Sequence, residues 1–189
     1  MTFSFVLFFT SLLGLYKIQV HNQLTLLNEK TKVLGIKEQN KRPGTPVRLI
    51  IPAINVDTAI QQIGVNSKGE MEVPNSILEA GWFKLGSIPG EIGSAVIAGH
   101  LDGENDEAGV FANLYKLKEN SLIYVEDDKG ESFVFIVREK RILNPDYAEE
   151  VFGLNNGVYL NLVTCDGVWD LNKKSYSKRL VVFADGVRM

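Results

Sequence analysis

The chain has 189 residues and a mass of 21.0 kDa, which suits one domain of ordinary size with a short extension and excludes two large domains. Hydrophobic residues make up 45% of the chain, with 17 glycines and 6 prolines, a composition typical of a globular protein. The net charge of −3 provides no basic surface for a phosphate backbone, so we do not expect nucleic acid as a partner. The single cysteine, Cys165, excludes an intrachain disulfide framework and any metal site that needs several thiolates.

The first predicted element is an apolar segment at the N-terminus. Residues 3–16 read FSFVLFFTSLLGLY and carry no charge before Lys17. At ~1.5 Å per helical residue, residues 1–16 reach about 24 Å, so a helix that crosses the ~30 Å hydrocarbon core must continue past Lys17 to Val20. No small-residue cleavage pattern follows. We therefore expect residues 1–20 to form an uncleaved membrane-anchor helix; the alternative is a buried helix of a soluble protein.

A polar segment follows the apolar one. Residues 21–46 are rich in charged and amide side chains and end in a stretch that contains Pro43, Gly44 and Pro46, which interrupt regular structure. We interpret this segment as a tether and expect the folded domain to span residues 47–189.

Beyond the tether, short apolar or alternating runs are separated by turn residues. The runs are VRLII, TAIQQIGV, SAVIAG, SLIYVED, ESFVFIVREKRIL, YLNLVTC and RLVVFADGV. Their lengths and β-branched content predict strands, and Asp127–Gly130 predicts a hairpin turn between two of them. Helical patterns are confined to residues 110–118 and 146–152, which are too short to be the crossovers of a parallel sheet. The pattern predicts an all-β domain, an antiparallel barrel or sandwich of seven to eight strands with short helices.

Three side chains at predicted strand ends suggest chemistry. Cys165 ends YLNLVTC, and as a nucleophile it would need a group that takes its proton and a cation that favours the thiolate. His100, directly after SAVIAG, would exchange the proton, and Arg179, which begins RLVVFADGV, would offer planar charged N–H groups to an oxyanion. Taken singly, each also fits a plainer role: a core cysteine, a loop histidine and an edge-strand arginine.

The stretch 47–187 resembles the sortases, the membrane-anchored cysteine transpeptidases of Gram-positive bacteria. The resemblance is carried by Ala98-Gly99-His100 after an apolar strand, by Leu162–Cys165, which is similar to the family's TLxTC signature, and by Arg179 before an apolar strand. Asn161 stands where the signature has its first threonine.

Residues 166–170, read as a loop of sequence DGVWD, are similar to those of the class F group. In some members of that group the arginine lies nearer the cysteine, at a position that Lys174 occupies here. Lys174 is therefore the alternative cation, and we favour Arg179 because an ammonium group lacks the planar fork of a guanidinium.

The resemblance implies a closed, antiparallel sortase-type β-barrel preceded by a membrane-anchor helix. It also implies that Cys165 attacks an LPxTG-like sorting signal between Thr and Gly, with His100 as acid and base and Arg179 at the oxyanion. The thioacyl intermediate would pass to an amine acceptor such as a cell-wall precursor, which attaches surface proteins to the wall. This chemistry requires no metal or organic cofactor, and none is expected. Calcium binding by the acidic loop 102–107 is the alternative, since some sortases bind calcium elsewhere in their fold, but the loop lacks the ligand spacing of an EF-hand.

The sequence leaves two alternative functions open, and its charge pattern conflicts with the expected topology. The chain would otherwise be a sortase-like cysteine peptidase, or a non-catalytic anchored extracellular β module in which Cys165 is a packing residue. No Lys or Arg precedes the apolar segment, and Lys17 and five further basic residues follow it up to Arg42, which by the positive-inside rule alone favours a cytoplasmic domain. We expect instead a single-pass cell-membrane protein with an extracellular catalytic domain, because a transpeptidase of this kind meets its substrates outside the cell.

Overall fold

The computed structural model describes residues 42–145, 148–172 and 175–187. The expected membrane anchor, most of the expected tether and Lys174 lie outside these ranges. Among the residues within them, no helix has both the length and the apolar character needed to cross a membrane.

The described part of the chain consists of eight strands and three short helices. The strands are β1 (Pro46–Ile51), β2 (Val56–Ile63), β3 (Ala80–Phe83), β4 (Gly93–Ala98), β5 (Leu122–Asp127), β6 (Ser132–Leu143), β7 (Val158–Asp170) and β8 (Ser175–Gly186). Two 3-10 helices span Pro52–Ile54 and Leu114–Lys116, and one α-helix, α1, spans Ala148–Phe152. The strands close into a barrel in the order β1-β2-β3-β4-β7-β8-β6-β5, so the expected closed barrel with short helices is confirmed.

Two neighbouring pairs in the barrel are parallel, a feature that the expectation of an antiparallel barrel did not include. β2 and β3 run parallel, with Ile60 opposite Ala80, and β4 and β7 run parallel, with Ala98 opposite Val163. A parallel pair needs a long connection that returns the chain to the same end of the sheet. Residues 64–79 provide it for the first pair, and the excursion through β5, β6 and α1 provides it for the second.

Side chains fill the interior of the barrel. The largest fully buried ones in this interior are Phe111, Phe135, Leu49, Ile51, Ile97, Leu114, Leu117, Ile123, Leu160 and Leu162. All six residues of β4 are buried, because a second apolar cluster, which includes Val151 of α1, covers the outer face of β4, β7 and β8. Burial of each large apolar side chain stabilises the folded state by about 1.5 to 3 kcal/mol. Because the core is closely packed, β4 and the part of β7 that pairs with it, residues 158–163, form a rigid support.

The hairpin of β5 and β6 turns at Asp127–Gly130, as the sequence predicts, and Gly130 has the positive φ of 75° that favours glycine there. The carboxylate of Asp127 is buried, with 4% of the residue exposed. It accepts hydrogen bonds from the backbone N–H groups of Lys129 and Glu131 in the same turn. The turn therefore satisfies its own buried charge.

The same turn binds the residues that precede β1. The backbone N–H of Gly44 donates to Asp127 at 2.6 Å, and that of Thr45 donates to Asp128 at 3.0 Å. The ammonium group of Lys129 donates to the carbonyl oxygen of Arg42 at 2.9 Å. We call these three hydrogen bonds the N-terminal clamp, because they fix the chain where it enters the barrel.

β7 and β8 continue as a two-stranded ribbon beyond Cys165 and Arg179. Residues 166–170, which we expected to form a loop, instead extend β7 and pair with residues 175–178 of β8, with Trp169 opposite Tyr176. The register shifts between Asp166 and Trp169, where Gly167 has a φ of 85°. We call residues 166–170 and 175–178 the outer arm.

Candidate active site

Cys165 and Arg179 lie directly opposite each other in the β7–β8 ladder. Directly paired residues of antiparallel strands project to the same face of the sheet, so the two side chains are neighbours. Both residues lie within their strands and not at the strand ends expected from the sequence, because the outer arm continues the ladder past them. Cys165 is partly buried at this position.

The β4–β7 ladder brings His100 to the same end of the sheet. The backbone N–H of Gly99 donates to the carbonyl of Val163 at 3.1 Å, and the hydroxyl of Thr164 donates to the carbonyl of Gly99 at 2.8 Å. In the chain, His100 directly follows Gly99, and Cys165 directly follows Thr164. The three side chains predicted to form the site therefore come together where β4, β7 and β8 meet.

A backbone carbonyl orients the imidazole of His100. Its Nε2 lies 2.8 Å from the carbonyl oxygen of Pro74, in the connection between β2 and β3. Because a carbonyl oxygen only accepts hydrogen bonds, Nε2 carries a hydrogen in both the neutral and the charged ring. Nδ1 is therefore the nitrogen that takes up or releases a proton.

Two glycines near His100, Gly99 and Gly109, are packed too closely for larger residues. The backbone N–H of Phe111 donates to the carbonyl of His100 at 2.9 Å, which folds the loop back onto its own start. A Cβ at Gly109 would lie 2.3 Å from that carbonyl oxygen, and one at Gly99 would lie 2.5 Å from the ring of Phe111. Glycine is needed at both positions to hold the histidine in place.

The guanidinium of Arg179 is fixed by its own strand. Nη1 donates to the carbonyl oxygens of Tyr176 and Lys178, both at 2.8 Å, and Nη2 donates to the hydroxyl of Ser175 at 3.1 Å. A guanidinium has five N–H groups. Within the described ranges, the Nε–H and one N–H of Nη2 remain for a ligand, so the group is held rigidly and still has donors to offer. The alternative cation, Lys174, lies outside these ranges.

The charges around Cys165 act on its thiol in opposite directions. Burial raises the pKa of the thiol, the guanidinium of Arg179 lowers it, and the carboxylate of Asp102 raises it. The net effect is a pKa above the ordinary value of a cysteine, so the thiol is neutral near pH 7. Attack by Cys165 therefore requires a group that accepts the proton.

Sequence reasoning missed two side chains of this site, Asp102 and Tyr176. The hydroxyl of Tyr176 donates to the carboxylate of Asp102, and this bond is the main cause that raises the pKa of Tyr176 to about 12. The ring of Tyr176 also packs edge-on against Trp169, with the ring centroids 5.2 Å apart. The sequence indicates Asp102 only as part of an acidic loop. Its position two residues after His100 is the feature that could have identified it as part of the site.

The acidic loop 102–107 satisfies part of its charge internally. The carboxylate of Glu107 accepts hydrogen bonds from the backbone and the side-chain amide of Asn105 at 3.0 and 3.1 Å. Across residues 42–145, 148–172 and 175–187, no three His, Cys, Asp or Glu side chains are grouped closely enough to hold a metal ion.

Comparison with known proteins finds one family and several similar folds. The family model described as the Sortase domain matches residues 49–187. Sortase C-1 from Actinomyces oris superposes with a TM-score of 0.60 at 23% identity, over 84% of this chain and 82% of that one. A lid mutant of sortase A from Corynebacterium diphtheriae gives 0.59 at 23% identity, over 82% and 76% of the two chains. Sortase C1 from Streptococcus agalactiae, in a complex with MTSET, gives 0.58 at 25% identity, over 76% and 67%. Among curated proteins, none matches the chain.

Proposed function

Because the chain belongs to the sortase family, we propose that it is a membrane-anchored cysteine transpeptidase that cleaves an LPxTG-like sorting signal between threonine and glycine. The cleaved protein is joined to an amine acceptor such as a cell-wall precursor, which attaches it to the cell wall. One observation supports this proposal above all. Cys165 pairs directly with Arg179 in the β7–β8 ladder, and His100 follows the hydrogen bonds that join the end of β4 to β7.

In the first half-reaction, the neutral thiol of Cys165 gives its proton to Nδ1 of His100. The sulfur attacks the threonine carbonyl carbon, and the carbonyl oxygen becomes an oxyanion. The tetrahedral intermediate collapses as the protonated His100 gives its proton to the leaving glycine amine. The products are a free amine and a thioester between Cys165 and the threonine.

In the second half-reaction, the acceptor amine attacks the thioester. The nitrogen loses a proton to His100, and collapse of the intermediate forms the amide and releases the sulfur of Cys165, which regains a proton from His100. Water in place of the amine gives hydrolysis by the same steps. The balance between transfer and hydrolysis thus depends on whether an amine occupies the site.

Arg179 serves the oxyanion in both half-reactions. Three of its N–H groups are used to fix it on β8, so the guanidinium does not have to reorganise when negative charge develops on the carbonyl oxygen. Preorganised donors of this kind stabilise the transition state more than the ground state.

The deciding experiment uses the full chain in detergent with a fluorogenic LPxTG peptide, with and without an added amine such as triglycine. We expect cleavage with a thioester adduct on Cys165, and an amide product that forms only when the amine is present. Mass spectrometry identifies both species, and Cys165→Ala is the control.

The alternatives give different results. Cleavage that yields only the hydrolysed peptide at every amine concentration would identify a cysteine peptidase. No adduct and no cleavage with any LPxTG-like peptide would favour a non-catalytic β module. Either result would contradict the transpeptidase proposal.

We further propose that the protein crosses the cell membrane once, with the catalytic domain outside. The observation behind this proposal is the apolar segment 3–16, followed by a polar stretch up to the first strand. Protease treatment of intact cells should release the domain by cleavage before Arg42. Complete protection of the domain, with cleavage only after the cells are opened, would contradict this topology.

A further inference from the structure

We propose that Tyr176 is a positioning residue, whose hydroxyl holds Asp102 and thereby fixes the loop that carries His100 against the strands that carry Cys165 and Arg179. The proposal rests on the function proposed above and adds a residue pair that sets the geometry of that site. We call the hydrogen bond between Tyr176 and Asp102 the tyrosine bridge.

Tyr176 contacts each part of the site through a different group. Its hydroxyl donates to Asp102, two residues after His100. Its backbone carbonyl accepts a hydrogen bond from Arg179 at 2.8 Å. Its ring packs against Trp169, which lies four residues after Cys165 on β7. One residue therefore joins the three chain segments that bring the site together.

Other hydrogen bonds also hold the loop after His100. Its base is closed by backbone bonds from Phe111 to His100 and from Gly109 to Leu101, both at 2.9 Å. These bonds join the two ends of the loop to each other and do not tie it to β8. The tyrosine bridge does tie the loop to β8, and its two residues lie 74 positions apart in the sequence. The loop is also tied to the β2–β3 connection, where the backbone N–H of Val110 donates to the carbonyl of Ile77 at 2.8 Å. Loss of the tyrosine bridge would remove the hydrogen bond between this loop and β8.

Asp102 also acts on Cys165 through its charge. The charged groups that act on the thiol of Cys165 are Arg179 from β8 and Asp102 from the loop after β4, and the hydroxyl of Tyr176 from the outer arm also interacts with it. Asp166 and Lys178, next along the ladder, project to the opposite face of the sheet. Asp102 is the carboxylate that raises the pKa of the thiol, and the tyrosine bridge keeps it there. Release of Asp102 should therefore be visible in the titration of Cys165.

The variants separate the hydrogen bond from the charge. Tyr176→Phe removes only the hydroxyl and keeps the ring and the backbone carbonyl. Asp102→Asn keeps an oxygen that accepts the hydrogen bond but removes the charge, and Asp102→Ala removes both.

Two control variants match these changes away from the site. Tyr159→Phe removes a tyrosine hydroxyl that donates to Asn156 at 2.7 Å, six residues before Cys165 on the same strand. Asp57→Asn removes the charge of an exposed carboxylate paired with Arg48.

The first readout is the kinetics of peptide cleavage. We expect Tyr176→Phe and Asp102→Ala to lower kcat by about tenfold or more, with KM changed less, because the acid–base group is misplaced and substrate contacts remain. Asp102→Asn should recover most of the rate. The double variant of Tyr176→Phe and Asp102→Ala should be no slower than the single ones, because the two residues share one bond. Both controls should cleave at the wild-type rate.

The second readout needs no peptide: the pH dependence of alkylation of Cys165 by iodoacetamide. We expect Tyr176→Phe, Asp102→Asn and Asp102→Ala each to move the midpoint to lower pH, because the carboxylate is released or neutralised. A wild-type chain that is alkylated but never cleaves the peptide would refute the proposed function, and the alkylation midpoints alone would then decide on the tyrosine bridge.

The tyrosine bridge has a positioning role if Tyr176→Phe changes both kcat and the alkylation midpoint while remaining folded by circular dichroism. A variant with kcat within about twofold of wild type overturns the proposal. So does a loss of rate that is accompanied by a lower Tm and an unchanged midpoint, because that pattern belongs to a purely structural contact.

Discussion

The two long hairpins of the barrel, β5–β6 and β7–β8, end in opposite ways. The first closes in a tight turn, where the buried carboxylate of Asp127 is satisfied by backbone N–H groups. The second continues as the outer arm, where Val168 is 76% exposed and side chains contact each other, Tyr176 with Trp169 and with Asp102. The end of β5–β6 fixes its own turn and the residues before β1, and the end of β7–β8 contributes side chains to the candidate site.

From this difference we predict that stability and catalysis depend on different hairpins of one barrel. Changes at the end of β5–β6 should alter the free energy of unfolding and leave catalysis alone. Changes in the β7–β8 pair at and beyond Cys165 should alter catalysis and have a smaller effect on unfolding, because few large apolar side chains are buried there.

The largest expected effect is that of Cys165→Ala. Peptide cleavage and the thioester adduct should be lost completely, because no other residue of the chain has a thiol. The free energy of unfolding should change by only about 1 kcal/mol, since the side chain is small and partly exposed. Cleavage assays test the loss of activity, and urea denaturation tests the change in the free energy of unfolding. Residual cleavage by the purified variant would mean that Cys165 is not the nucleophile.

The next effect is that of Arg179→Ala, which removes the donor that we propose for the oxyanion. We expect acylation to slow by roughly a hundredfold to a thousandfold, equivalent to ~2.7 to 4 kcal/mol. Arg179→Lys should also be severely impaired, because an ammonium group cannot form both the strand contacts and the oxyanion contact. Lys174→Ala is the matched comparison and should matter little. A large loss confined to Lys174→Ala would identify that lysine as the functional cation.

On the other hairpin, Asp127→Asn should destabilise the barrel without slowing cleavage. Although burial opposes ionisation, hydrogen bonds from Gly44, Glu131 and Lys129 hold the pKa of Asp127 below its ordinary value of 3.8. Stabilisation by the carboxylate is therefore complete above that value and is lost as the pH falls through the lower folded-state pKa. We expect the variant to lose about 1 to 3 kcal/mol at pH 7. The difference from wild type should shrink in urea titrations near pH 3; a difference that is constant with pH would exclude an ionic role.

The smallest and sharpest comparison is a pair of glycine substitutions. Gly130 and Gly167 have φ values of 75° and 85°, so alanine at either should cost about 1 to 2 kcal/mol of stability. A Cβ at Gly130 meets open space, whereas one at Gly167 would lie 2.5 Å from the hydroxyl of Ser177. Gly167→Ala should therefore also lower the cleavage rate several-fold, and Gly130→Ala should not. Equal rates in the two variants would contradict the division between the hairpins.

The sequence predicts most of the barrel because the strands are signalled locally. Seven runs of β-branched and apolar residues correspond to strands, and the Asp127–Gly130 turn is where its residues indicate. β3 was missed because Ala80–Phe83 has only four residues and contains a glycine, which leaves no alternation to detect. The two parallel pairs were missed because strand direction depends on where long connections lead and not on the residues of the strands.

The candidate site was predictable only in part. His100, Cys165 and Arg179 were selected by their residue types and by resemblance, and the structure brings them to one end of the sheet. Their catalytic roles, the class F relationship and the membrane anchor remain predictions. The tyrosine bridge could not be derived from local patterns, because the importance of Tyr176 depends on a partner far away in sequence. Residues 166–170 of the outer arm indicate a loop because Asp166, Gly167 and Asp170 are residue types typical of turns.

The N-terminal clamp has a mechanical consequence. Tension on the chain before Arg42 reaches the bonds to Lys129 and Asp127 before it reaches β1. β1 is paired along both edges, with β2 and with β5, so a pull would have to shear two ladders and could not peel away a free edge. In the ring of eight strands, β7 is four places from β1 in either direction. A force applied to the chain before Arg42 would thus enter the barrel at the strand farthest from the one that carries Cys165.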